Sequence, residues 1–163
     1  ECTDLASDLI DSLCVAEGIS RDQLSLHSDN GSPMKGSTLL ATLERLGVAR
    51  SFSRPRVSND NPFVEAVFRT VKYRPGYPRG PFASIEAARS WMTAFTNWYN
   101  HVHRHSGIRF VTPVQRHALQ DCKILARRAK LWERAHRKHP ARWSGGVRNW
   151  SPVETVVLNP EPQ

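Results

Sequence analysis

The sequence predicts an α/β fold with helices appended toward the C-terminus. In the first 60 residues, two segments with apolar residues at helical spacing are each followed by a short strand-like run. The second half is mostly helical in pattern. Alternating helices and strands typically form a layered α/β structure. A length of 163 residues favours one domain and is sufficient for a substantial core.

The first half alternates helices with strands. Its predicted elements are a helix from Thr3 to about Glu17, a strand over 23–27, a loop over 28–37, a helix over 39–46 and a strand over 48–52. Gly18 and Gly47 follow the two helices, where glycine commonly ends a helix. Because two strands make a poor sheet on their own, we expect more strands from the tail or from chain upstream of Glu1.

Three further helices are predicted after a polar loop over 53–61. They run from about Pro62 to Lys72, from Ser84 through Tyr99, and from Pro113 to about His139. Pro62 and Pro113 are suited to a first helical turn, and Ser84 can cap the middle helix. Residues 74–81 hold three prolines and two glycines, so they should interrupt the helices. The tail includes a possible strand or hairpin from Glu154 to Leu158.

The charge is distributed unevenly along the chain. Residues 1–60 carry six Lys or Arg and nine Asp or Glu, whereas residues 61–163 carry 17 and six. A basic half of this kind suits a polyanion such as DNA, although a solvated basic face remains the alternative. No apolar run is long enough to span a membrane. Three widely spaced cysteines favour free thiols and a reducing cytosol.

Asp29 and Glu65 are the residues that most strongly indicate chemistry. Asp29 follows a predicted strand, at the sheet edge where active sites of open α/β sheets commonly lie. Glu65 lies in the first turn of a predicted helix, 35 residues further along. Two distant carboxylates can converge to bind Mg²⁺, which prefers oxygen ligands. The alternatives are an ordinary Asp-Asn-Gly turn and a glutamate that complements the helix dipole.

Several neighbours of the two carboxylates could contact a phosphate. Arg69 and Lys72 follow Glu65 on one helix face, where they would either form a salt-bridged surface or neutralise phosphates near a metal. His27 precedes Asp29 by two residues and is either structural or a ligand to phosphate. His101, His103 and His105 alternate, which is a weak indication of zinc. Trp98 and Tyr99 favour core packing over stacking on nucleic-acid bases.

Two segments of the chain form a recognisable combination. The first is His27-Ser-Asp29-Asn-Gly-Ser-Pro-Met34, and the second runs from Ser51 through Asn61-Pro-Phe-Val-Glu65. Together they resemble the insertion-sequence transposases that have a retroviral-integrase-type catalytic core. The resemblance continues through Phe68 to Tyr73, Trp98 to Asn100, His105 to Ile108 and Thr112-Pro113. It covers about residues 5–118, and residues 119–163 form a basic helical extension and tail beyond it.

This resemblance implies a ribonuclease-H-like fold, here partial, and an Asp-Asp-Glu triad that binds Mg²⁺ or Mn²⁺. Asp29 matches the second Asp of that triad and Glu65 matches its Glu. Asn61 and Lys72 match positions that support the site or contact DNA, and His27 and Arg69 are further predicted DNA contacts. The implied partners are transposon ends and target DNA, and the implied enzyme is a homo-oligomer. Its implied location is the bacterial cytosol, in association with the nucleoid and not with a membrane.

One departure from the family pattern concerns the first catalytic Asp. The strand that carries it should precede the helix that begins at Thr3, and only Glu1 and Cys2 stand there. We therefore expect an N-terminally truncated core, inactive by itself, of an enzyme for DNA cleavage and strand transfer. The alternatives are a non-catalytic DNA-binding protein derived from a transposase and, less well supported, a structure-specific nuclease.

Overall fold

A computed structural model describes residues 2–55, 57, 60–154 and 156. Contacts between backbone positions divide the chain near Lys72 into two compact units. Of the described residues, the first unit holds those up to Lys72, and the second holds those from Tyr73 onward. The boundary predicted at residue 118, between a catalytic core and an extension, stays a prediction.

The first unit has the predicted alternation of helices and strands. Its elements are α1 (Thr3–Ala16), β1 (Ser25–Ser28), α2 (Ser37–Leu46), β2 (Ala49–Phe52) and α3 (Pro62–Lys72). Each predicted boundary lies within a few residues of the observed one. The predicted loop after β1 contains a short 3₁₀ turn over Ser32–Lys35. Part of the loop over 53–61 lies outside the described residues.

β1 and β2 form a parallel pair, in which His27 lies opposite Ser51. The connection between them includes α2, as parallel neighbours require a crossover. One face of the pair is covered by a core in which α1 and α2 pack together. Its buried side chains are Ile10, Cys14, Leu39, Leu43 and Val48. Leu24 and Leu26 pack against this core. Because successive side chains of a strand point to opposite faces, the residues between and after them point away from the core.

The second unit consists of helices and irregular chain. Its helices are α4 (Ile85–His101), α5 (Pro113–His117) and α6 (Asp121–Lys138). The Ser84 hydroxyl caps α4 as predicted, because it accepts a hydrogen bond from the Ala87 amide at 3.2 Å. Among the apolar side chains of α4, Phe95 is buried, whereas Ile85 and Met92 are exposed.

The single helix predicted from Pro113 to His139 was wrong, because the structure divides it into α5 and α6. Leu119 between them has a φ of 55°, a left-handed conformation that a continuous helix cannot contain. α5 is stabilised at its start by a capping box between Thr112 and Gln115. Asp121, in the first turn of α6, is buried and pairs with Arg116 at 2.5 Å. This ion pair links the two helices across the break.

A second core lies between α6 and the chain on either side of it. Val111, Leu125 and Trp150 are buried there. Arg109 and Phe110 both have positive φ, at 60° and 61°. Their carbonyl oxygens accept hydrogen bonds from the Arg128 guanidinium at 2.9 and 3.0 Å. One side chain of α6 therefore holds an unusual left-handed turn in place.

Beyond β1 and β2, the described residues contain only an isolated antiparallel bridge between His105 and Val111. Of the possible strand from Glu154 to Leu158, only Glu154 and Val156 lie within the described residues, and neither is in a strand. None of the helices in the described part of the chain has the length and apolar character needed to cross a membrane.

Candidate active site

Asp29 lies immediately after the last residue of β1, where the sequence predicts it. Its Oδ1 accepts a hydrogen bond from the Gly31 amide at 3.1 Å, which forms a tight turn. A Cβ added at Gly31 would lie 3.0 Å from the same carboxylate oxygen, so a small residue suits this turn. The turn therefore orients an exposed carboxylate at the end of the strand.

Glu65 lies in the first turn of α3 and is also exposed. Its backbone amide donates to the carbonyl of Asn61, the residue before α3, at 3.4 Å. Glu65 forms no ion pair with any of the described residues. The salt-bridged face with Arg69 and Lys72 stays one of the two alternatives, and Glu65 contributes no ion pair to it within the described part of the chain.

The structure brings Asp29 and Glu65 to one cleft of about 510 Å³. Asn61 also lines it, as a residue already predicted near Glu65. The other described lining residues are Asn30, Ser53, Arg54, Val57, Val64 and Phe68. His27, Arg69 and Lys72 are not among these lining residues. Three of the six predicted site residues therefore share the cleft, and their roles in binding stay predictions.

Arg54 was not predicted as a site residue, yet it lines the cleft and pairs with a buried carboxylate. Asp60 is 6% exposed. It accepts hydrogen bonds from the Arg54 amide at 2.7 Å, from Nε at 3.0 Å and from Nη2 at 2.9 Å. Charge-assisted bonds of this kind are stronger than neutral ones. Because Asp60 lies two residues before α3, this pair fixes the point where the helix that carries Glu65 begins.

His27 is held by groups of the same unit. Its Nε2 lies 2.9 Å from the Asp60 carbonyl oxygen, and its Nδ1 lies 2.9 Å from the Ser51 hydroxyl. A carbonyl only accepts, so Nε2 carries the proton and donates. Both ring nitrogens are thus engaged inside the unit. This geometry favours the structural alternative for His27, which joins β1 and β2 to the start of α3.

The side chains at the cleft suit a hard divalent cation. Two carboxylates and the amide group of Asn61 offer the oxygen ligands that Mg²⁺ and Mn²⁺ prefer. Neither Asp29 nor Glu65 is neutralised by an ion pair with a described residue. No group of three or more His, Cys, Asp or Glu with metal-binding geometry occurs among the described residues. The cleft therefore presents two carboxylates rather than three.

The alternating histidines lie in the second unit and pack with aromatic rings. The His103 ring lies 4.9 Å from that of Trp98 and 5.3 Å from that of Tyr99, measured between centroids. The His105 Nδ1 accepts from the Gly107 amide at 3.1 Å. Burial, followed by the nearby His105 and Arg74, lowers the pKa of His103. These contacts agree with packing and offer no support for zinc.

One family model matches part of the chain. Residues 46–113 match the family model of the integrase core domain, a stretch shorter than half of the chain. This match supports a protein of the integrase or transposase type, and such a domain implies an interaction with DNA. The matched range contains Glu65 and Asn61, whereas Asp29 precedes it. No curated protein matches the chain.

Proposed function

We propose that this chain belongs to a metal-dependent transposase that cleaves DNA and transfers strands, as an insertion-sequence element requires. The observation that carries the proposal is the cleft shared by Asp29 and Glu65. The integrase core match over residues 46–113 supports it. The parallel unit of β1, α2 and β2 is compatible with a ribonuclease-H-like fold, which the proposal includes.

In this proposal, Asp29 and Glu65 bind Mg²⁺ or Mn²⁺ through their carboxylate oxygens. When bound, such ions activate a nucleophile and stabilise the leaving oxygen of a phosphodiester. Asn61 would orient water or a phosphate oxygen at the edge of the same cleft. Arg69 and Lys72 on α3 would neutralise neighbouring phosphates of the DNA. Arg54 also lines the cleft, where its charge is paired with that of Asp60.

The second candidate is a non-catalytic DNA-binding protein derived from a transposase. Two observations favour it. The described residues contain no metal-binding group of three or more such side chains, and 17 of the 23 Lys and Arg residues lie after position 60. In this alternative the basic regions bind DNA while the carboxylates bind no metal.

Mn²⁺ binding separates the two candidates. We expect Mn²⁺ to bind the chain and to enhance the relaxation of water protons. Asp29→Asn and Glu65→Gln should each weaken binding on the order of tenfold or more, because each removes an oxygen ligand from the ion. The matched control is Asp8→Asn, which removes one exposed negative charge from α1.

Equal Mn²⁺ affinity in the site variants and in the Asp8→Asn control would contradict the metal site. If Glu65→Gln also left the affinity for duplex DNA unchanged in the presence and absence of Mn²⁺, the non-catalytic candidate would be preferred. A product assay with labelled DNA then distinguishes transposition from simple hydrolysis, because strand transfer joins DNA ends.

A further inference from the structure

The exposed face of α6 carries a row of positive charges. Its five members are Lys123, Arg127, Lys130, Arg134 and Arg137, which we call the basic stripe. Successive members are four, three, four and three residues apart. At 3.6 residues per turn this spacing keeps all five within about 80° of the helix circumference, over a length of about 21 Å. The stripe is therefore a narrow straight row along one side of α6.

The basic stripe is held rigidly by the opposite face of the same helix. Asp121 and Leu125 on that face are buried. Ile124 and Ala129 pack against the core formed by Val111, Leu125 and Trp150. Arg128, also on this side, donates to two backbone carbonyls, so it serves the fold and is separate from the stripe. Little backbone entropy is therefore lost when a ligand binds along the stripe.

The charges of the basic stripe are not neutralised within the described part of the chain. The ion pairs of Arg45, Arg54 and Arg116 involve no member of the stripe. An ordinary solvated helix commonly alternates charges of both signs, whereas α6 has only two acids, of which Asp121 is buried and paired. The stripe thus concentrates positive charge along one line.

We propose that the basic stripe of α6 binds the phosphate backbone of duplex DNA without reading its sequence. Duplex DNA carries one negative charge per about 1.7 Å of helix axis, and its major groove is about 12 Å wide. A row about 21 Å long spans that groove and reaches the phosphates on both sides. α6 contains no Asn, Gln, Ser or Thr, and Arg and Lys side chains that are engaged with phosphates on both sides of the groove contact groups that carry no sequence information.

This inference rests on the proposed function only for the choice of DNA as the polyanion. The basic stripe lies in the second unit, and Asp29 and Glu65 lie in the first, so the two surfaces consist of different residues. Binding along the stripe requires no metal. Measurements in EDTA therefore test the stripe independently of the proposed metal site.

The test is fluorescence anisotropy with a labelled 20-base-pair duplex of arbitrary sequence, over a series of salt concentrations in EDTA. The stripe variant is Arg127→Gln, Lys130→Gln and Arg134→Gln together. The matched control is Arg50→Gln, Arg79→Gln and Arg89→Gln, which removes the same charge from exposed positions elsewhere. Gln has nearly the helix propensity of Lys and Arg, so α6 should remain folded, as circular dichroism will show.

We expect the stripe variant to bind on the order of tenfold or more weakly near 0.1 M salt. The slope of log affinity against log salt should fall by about 2.7 for three lost phosphate contacts. A third variant, Arg127→Lys with Arg134→Lys, should retain binding, because a phosphate contact requires the charge. This variant separates loss of charge from loss of packing.

Equal losses in the stripe variant and in the control would overturn the proposal, because net charge alone would then explain binding. Tighter binding of single-stranded RNA of the same length than of the duplex would overturn the assignment to DNA. The stripe variant should retain the Mn²⁺ affinity of the parent chain, so failure of the metal site and failure of the stripe give different results.

Discussion

At the scale of single residues, the start of α3 depends on a buried charge. Asp60 is 6% exposed, and three hydrogen bonds from Arg54 compensate its carboxylate. A buried carboxylate is costly without such partners. The Asp60 carbonyl also accepts from His27 in β1. Asp60 thus joins the strand that precedes Asp29 to the helix that carries Glu65.

Replacing Asp60 by Asn should destabilise the first unit and distort the cleft. The substitution retains the shape but removes the charge that pairs with Arg54. We expect a loss of about 1–3 kcal/mol in the free energy of unfolding, measured by urea denaturation, together with weaker Mn²⁺ binding. Asp8→Asn is the control for charge alone. Identical urea midpoints for the two variants would show that the pair contributes nothing to stability.

The pKa of His103 provides a second test at this scale. Burial is the main cause of its lowered pKa, followed by repulsion from His105 and Arg74. We therefore expect His103 to titrate at a lower pH in the folded chain than in urea, as followed by NMR of its ring proton. Arg74→Gln should raise the folded pKa only in part, because burial remains.

The sign of the effect on stability follows from this shift. As pH falls, the unfolded chain takes up the His103 proton first, near pH about 6.5, so unfolding becomes more favourable. The loss of stability begins above that pH and is complete below the folded pKa. His103→Gln should remove this part of the acid sensitivity. If His103 titrated at the same pH in the folded and unfolded chains, the structural interpretation of its surroundings would be wrong.

Sequence reasoning reached some residues of the cleft and missed others for a physical reason. Asp29 and Glu65 were indicated by their positions at a strand end and in a first helical turn, which are local features, whereas Asn61 was indicated by the resemblance to transposases. Arg54 occupies its place only because Asp60 folds back onto it and His27 fixes Asp60 from another strand. In the sequence, this pair is visible only as an Arg and an Asp six residues apart in a polar loop. That spacing is equally compatible with two separate charges exposed to solvent.

At the scale of elements, the end of α2 depends on Gly47. Its φ is 67°, and it ends the helix in a left-handed conformation. A Cβ added there would also lie 2.9 Å from the Cβ of Arg21. Arg21 in turn donates to the backbone carbonyl of Arg45 near the end of α2. The chain before β1 therefore packs closely against this turn.

Gly47→Ala should destabilise the chain by about 1–2 kcal/mol or more, because the left-handed conformation and the contact with Arg21 both penalise a side chain. Chemical denaturation followed by circular dichroism measures this change. Gly80→Ala is the matched control, since its added Cβ would meet no atom within 4 Å. The explanation fails if Gly47→Ala is no less stable than that control.

Helix ends were predictable where a capping residue lies at the end of a periodic apolar pattern. They were not predictable where tertiary contacts break a helix within such a pattern. Ser84 and Gly47 mark the start of α4 and the end of α2 in the sequence itself. Between α5 and α6, however, no glycine or proline signals the break. The ion pair between Arg116 and buried Asp121 spans it, and Leu119 adopts the left-handed conformation there. Such a turn is a product of packing, which periodicity does not reveal.

At the scale of the whole molecule, the proposed metal binding and the proposed DNA binding by the basic stripe depend on different residues. The first uses negatively charged side chains and the second uses positively charged ones. The first 60 residues contain more acids than bases, whereas the remainder contains 17 Lys or Arg and six Asp or Glu. Asp29 and Glu65 bind cations in the proposal, and the basic stripe binds phosphates. Because salt weakens phosphate contacts steeply, while a metal requires particular oxygen ligands, the two kinds of binding should be separable by mutation.

The expected outcome is a reciprocal pattern in two multiple variants. Asp29→Asn with Glu65→Gln should lose Mn²⁺ binding without weakening the metal-free affinity for duplex DNA, because it removes negative charge only. The three Gln substitutions in the basic stripe should lose that DNA affinity on the order of tenfold yet retain Mn²⁺ binding. Relaxation of water protons and fluorescence anisotropy measure the two properties on the same preparations. Loss of both properties in either variant would mean that the substitutions act through global unfolding or one shared site, and the separation argued from the charges would be wrong.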